Sequence, residues 1–124
     1  MPDITDSLEL ARSHLGRVQT AAYDPIDWTD LTVYGFYALE AAVMAAAAHL
    51  EWNIRRNHPA KIEAARRLTE EHGLPEVQRL LLELNAARKA TAYGDAPLPE
   101  MDAEDVSAEI ETYIEAVAAL INDE

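Results

Sequence analysis

Cysteine is missing from this 124-residue chain, glycine occurs only four times and phenylalanine once. Without cysteine there is no disulfide framework, no thiolate zinc site and no thiol nucleophile. Scarce glycine and few strand-favouring residues, set against abundant Ala, Leu and Glu, argue against a sandwich or barrel and for an all-α protein. Basic residues are also few: 10 Lys and Arg stand against 23 Asp and Glu, a formal net charge of −13. No charged start followed by an apolar run opens the chain, so no signal peptide is expected. The most apolar stretch, 38–50, is mostly Ala and contains Glu40 and His49. It reads as too short to cross a bilayer, so no membrane partner is expected. A reducing, cytoplasmic setting fits the missing cysteines.

What is present is globular: 49% of the residues are apolar and 27% charged, enough for one domain over 1–124 and no second. Apolar residues recur at helical spacing in five segments. The first helix is expected over 4–22, with Leu8, Ala11, Leu15, Val18 and Ala22 on one face, Asp3 as N-cap and Asp6 in the first turn. The second begins after Asp27, its expected N-cap, and runs to about 54. Its stripe is Val33, Tyr37, Glu40, Met44, Ala47 and Leu50. The run Ala45 to Ala48 has almost no side-chain bulk, so this helix is expected at the centre. The third opens at Asn57-His58-Pro59, where Asn57 or His58 caps and Pro59 sits in the first turn. Ile62, Ala65 and Leu68 face inward, and Gly73 is the left-handed stop. The fourth starts at Pro75 and ends near Tyr93-Gly94, with Val77, Leu81, Leu84 and Arg88 on one face. The fifth follows Asp102, with Val106, Ile110, Tyr113, Val117 and Leu120 inward. Short connections imply an up-and-down bundle of about five helices. So short a chain covers its apolar surface incompletely, which points to a homodimer.

Charge is unevenly spread. Residues 1–54 hold two basic and eight acidic side chains, 55–89 hold eight and five, and 90–124 hold none and ten. The acidic fifth helix is either a solvated face or a docking surface for a basic partner.

Several chemistries are excluded by pattern. A di-iron bundle needs Glu-x-x-His on two helices, but Ala11, Ala46, Arg55 and Thr69 stand three residues before the four histidines. No metal or other cofactor is expected. His-Glu-x-x-His, the phosphate-binding and dinucleotide glycine motifs and Gly-x-Ser-x-Gly are all absent.

Two charges interrupt the apolar stripes: Glu40 on the second helix and Arg88 on the fourth. Either alone is costly to desolvate, so they are expected to face each other, guanidinium fork on carboxylate. Two readings follow. In one, the pair sets helix register. In the other, Arg88 floors a cleft and binds phosphate while Glu40 holds it in place. Tyr93 lies five residues on, about 140° round a continuous helix from Arg88. It comes back beside Arg88 only if the helix unwinds near Gly94.

The segment Arg88-Lys89-Ala90-Thr91-Ala92-Tyr93-Gly94-Asp95 resembles the HEPN superfamily, small helical bundles of prokaryotic defence, toxin–antitoxin and RNA-processing systems. Leu84, Arg88 and Tyr93 match a branch reading Leu-x-x-x-Arg-x-x-Ala-Asp-Tyr, with Thr91-Ala92 in place of Ala-Asp. Tyr34, Tyr37, Ala38 and the alanine run are similar to the family's second helix, and His58 matches a frequent position. The resemblance spans roughly 27–120. It implies RNA or nucleotide binding and a metal-independent endoribonuclease formed across a homodimer. Arg88 would steady the phosphate, Tyr93 would stand where the family's catalytic His usually lies, and Lys89, His58 and Asp95 would support them. A phenol is a poor base at neutral pH. The alternative is a non-catalytic dimeric module that docks a nucleotidyltransferase or antitoxin, which the net charge of −13 favours.

Overall fold

The computed structural model describes residues 4–23, 25–92 and 101–122. They form a bundle of five helices: α1 (Ile4–Ala21), α2 (Trp28–His49), α3 (His58–His72), α4 (Gln78–Ala92) and α5 (Ala103–Asn122). The described residues include no strand.

α2 is the central helix and packs against all four others. Its burial runs most of the way round: Leu31, Phe36, Leu39, Ala42, Val43, Ala45 and Ala46 are all inaccessible to solvent. Gly35 lets two neighbouring helices come close. A Cβ there would lie 3.2 Å from Ile110 Cδ1 of α5 and 3.4 Å from Leu84 Cδ1 of α4, so the bare backbone admits both neighbours. The stripe expected to face inward is the least buried side of the helix: Val33, Tyr37, Met44 and Leu50 are only half-buried, with Glu40 and Ala47 enclosed among them, because the alanine-rich remainder lets neighbouring helices pack closely on the other sides. α2 is also long and apolar enough to cross a membrane, but most of it is enclosed by the other helices. α1 and α5 pack together, as do α3 and α4, while α1 and α3 do not touch. That gap between α1 and α3, floored by α2, shapes the site described below.

Helix ends follow their caps. Asp27 accepts from the Asp30 N–H at 3.0 Å, Asn57 from Ala60 at 2.8 Å and Asp102 from Glu104 at 2.9 Å, each stabilising its helix start. Asn57, not His58, is thus the cap of α3. Asp3 lies outside the described residues. Gly73 ends α3 with φ +69°, as expected of a left-handed stop.

Two boundaries differ from the sequence expectation. α2 ends at His49 rather than near 54, because Glu51 turns left-handed at φ 60°. Trp52 N–H then bonds Ala47 O at 2.8 Å and Glu51 N–H bonds Ala48 O at 3.1 Å, a Schellman closure made without glycine. The turn carries Trp52 under the Arg67 guanidinium of α3, 3.9 Å from its ring centre. α4 starts at Gln78 rather than Pro75. The Pro75 carbonyl instead accepts from Thr69 Oγ1 at 3.2 Å, and Glu76 Oε1 accepts from the Arg79 N–H at 2.9 Å. Leu74 and Val77 fill the core from this extended approach.

Tyr113 of α5 is fully enclosed, and its hydroxyl finds no hydrogen-bond partner among the described residues. Burial pushes this phenol well above its usual range. An unpaired buried hydroxyl is destabilising. Tyr113→Phe is therefore expected to raise stability by about 1 kcal/mol, whereas Ile110→Ala, in the same core, should lower it by roughly 2–5 kcal/mol. Urea unfolding midpoints of the two variants, measured against the parent, check both signs.

Candidate functional site

The Glu40 carboxylate, 6% exposed, lies on the face of α2 turned toward the gap between α1 and α3. Two basic side chains of α3 reach it. His58 Nδ1 stands 2.5 Å from Oε2, and Lys61 Nζ stands 3.7 Å from Oε1. His58 and Lys61 are three residues apart, one helical turn, so both project to the same carboxylate. An ionised carboxylate only accepts, so His58 donates from Nδ1. Its Nε2 is then left to exchange a proton.

These groups line a cleft of about 350 Å³. α1 supplies Ser7, Leu10 and His14, α2 supplies Tyr37, Ala41 and Met44, and Arg56 stands at the mouth before α3. His14 packs its ring against Tyr34 (5.6 Å between centres) and Tyr37 (6.0 Å). Burial, with a smaller effect from the neighbouring Arg17 charge, holds its imidazole below the usual histidine range. The cleft thus joins an apolar α1 side to a cationic α3 side. Glu40 and His58 offer only two metal donors, and Lys61 occupies the other carboxylate oxygen. No group of three such donors occurs among the described residues.

The expected Glu40–Arg88 pair is not formed. Glu40 is satisfied from α3, while Arg88 is half-buried and its Nη2 donates to Asn85 Oδ1 at 2.7 Å. Its guanidinium lies 5.2 Å from the Phe36 ring centre and 6.0 Å from that of Tyr37. The Phe36 ring also meets the His58 ring edge-on at 5.0 Å. Arg88 itself does not line the cleft. Its Nε is buried and unpartnered among the described residues. Two aromatic faces take the place of a counter-charge, a cation–π arrangement. Lys89 is exposed on α4. Tyr93 and Asp95 lie outside the described residues.

His14, Arg56 and Lys61 escaped the sequence reading. The His58-x-x-Lys61 spacing was the available signal, because it sets two basic side chains on one helical face. His14 borders the stripe of Ala11, Leu15 and Val18 at helical spacing, which marked it as inward-facing.

Comparison of the chain with protein-family models, with curated proteins and with solved structures yields no match. The site is therefore judged on its own geometry.

Breaking the triad should be costly in a way that depends on which atom is lost. Glu40→Ala leaves two donors without their acceptor and should destabilise the fold by about 2 kcal/mol. Glu40→Gln keeps an acceptor oxygen and should lose roughly half of that. Chemical denaturation of the three proteins side by side gives the ranking.

Proposed function

We propose that this cleft binds RNA or a nucleotide through its phosphate, and that the chain is a HEPN-type protein acting as a metal-independent endoribonuclease of a toxin–antitoxin or defence system. The observation that carries the reading is the buried Glu40 carboxylate joined to His58 and Lys61 on the wall of an open cleft. A carboxylate that holds a histidine by Nδ1 fixes its tautomer and aims Nε2, the standard means of preparing an imidazole for proton transfer. Lys61 and Arg56 bring positive charge to the same space, which suits a phosphate. In this reading they take the phosphate contact that the sequence assigned to Arg88. Arg88 becomes a positioning residue that stiffens the Phe36–Tyr37 wall.

A second reading has support of its own. Glu104, Asp105, Glu109, Glu111 and Glu115 are exposed along α5, and Leu10 and Leu82 are 51% and 53% exposed. The acidic face of α5 suits a dimeric, non-catalytic module that docks a basic partner protein such as an antitoxin or nucleotidyltransferase.

The two readings separate in a binding titration. Fluorescence anisotropy of a labelled RNA 12-mer should show saturable binding. The double variant Arg56→Ala/Lys61→Ala should bind at least tenfold more weakly, with its log–log salt slope shallower by about 1.4. Arg88→Ala should bind with a smaller loss than the double variant. A parent protein that gives no binding, or a double variant that binds as the parent does, removes the cleft from RNA recognition and leaves the docking module.

A further inference from the structure

The cleft has histidines on two walls, and only one of them belongs to the Glu40 triad. His14 enters from α1 and His58 from α3, across the floor of α2. α1 and α3 make no close backbone contact with each other, and both rings line the one cleft between them. Tyr34 and Tyr37 hold the His14 ring; Phe36 and Glu40 hold the His58 ring. Each imidazole is thus fixed by a different pair of α2 residues, and both face one cavity.

We infer that His14 and His58 are the general base and general acid of a phosphoryl transfer within an RNA strand seated between them. The inference rests on the RNA reading above and assigns its chemistry to residues of a single chain. His14 takes the proton of a ribose 2′-hydroxyl, and that oxygen forms a bond to the adjacent phosphorus. The bond from phosphorus to the 5′-oxygen breaks, and His58 delivers the proton from Nε2 to that leaving oxygen. The products are a 2′,3′-cyclic phosphate and a free 5′-hydroxyl. One proton enters the protein at His14 and one leaves at His58, so no metal, water or redox partner is consumed. Lys61 and Arg56 face the non-bridging oxygens, where the added charge accumulates. Glu40 stays bonded to Nδ1 throughout and is a positioning residue.

The division of labour follows from surroundings. His14 lies among rings and beside the Arg17 cation, which favours the unprotonated form a base requires. The charged and titratable groups facing it are Arg17 from its own helix, Tyr34, Tyr37 and Glu40 from α2, and Arg56, His58 and Lys61 from across the cleft. The acid limb of the pH–rate profile is set by His14 and should fall below 6.5, the ordinary histidine value.

Two strands of one sequence test this, one all-ribose and one with every 2′-hydroxyl replaced by hydrogen. The second strand binds without being cut. The parent protein should bind the deoxy strand and cut the ribose strand to cyclic-phosphate ends. His14→Ala and His58→Ala should each slow cutting by 100-fold or more, while deoxy-strand affinity changes less than threefold. Should His14→Ala fail to fold by circular dichroism, His14→Gln, which keeps bulk without a basic nitrogen, takes its place with the same expectation. Binding of neither strand defeats the RNA reading and this inference with it. Binding without cutting by the parent, or cutting that survives loss of His14 or of His58, defeats this inference alone.

Discussion

A carboxylate taken out of water inside a helical bundle must find positive charge, and the demand made by Glu40 organises one side of this molecule. Left alone, the charge would cost several kcal/mol. The answer lies in how α3 begins. Asn57 caps the helix, Pro59 occupies its first turn, and His58 and Lys61 then fall on the face nearest α2. Moving the helix start by one residue would rotate both donors about 100° away. Cap, proline and ion triad are therefore one device. The same device leaves a cleft, because a helix drawn toward Glu40 on one side of α2 does not also close against α1.

The helices were legible from their own residues. Gly73 stops α3, Asp27 and Asp102 cap α2 and α5, and the inward faces of α1, α3 and α5 follow the spacing of their apolar residues, because each of these is a local property. Two ends were not. A left-handed Glu51 has no glycine to announce it, and it is held by the gain from carrying Trp52 onto Arg67, a contact between segments fifteen positions apart. Similarly, Pro75 reads as a helix start until its carbonyl is claimed by Thr69 of the preceding helix.

The candidate site was half legible. That Glu40 needs a partner followed from its place on an apolar helix. Which partner could not follow, since Arg88 and the His58–Lys61 pair meet the electrostatic requirement equally on paper. Geometry decided between them. Phe36 touches both groups, meeting the His58 ring edge-on and lying 5.2 Å from the Arg88 guanidinium, but only His58 and Lys61 reach the carboxylate. Arg88 can forgo a carboxylate because a guanidinium is weakly hydrated and stacks on rings, an option that an ammonium ion uses less readily.

A net charge of −13 weighs against a polyanionic ligand, yet distance decides how much of that charge the proposed phosphate would feel in the cleft. The acidic residues of α5 lie on a helix that packs against α1 and α2 but not against α3. At physiological ionic strength the field of an exposed charge decays over about 8 Å, so an exposed acid farther than that from the cleft acts on it only weakly. Within the cleft itself, Arg56 and Lys61 stand against the lone carboxylate of Glu40. The local balance is positive and the global one negative. Long-range repulsion then governs how fast an anion arrives, and short-range attraction governs how long it stays. Salt acts on these in opposite senses: it speeds arrival and shortens residence. On the proposed RNA reading, a ligand with one phosphate in the cleft and little contact elsewhere suits this charge pattern better than a long duplex lying along α5.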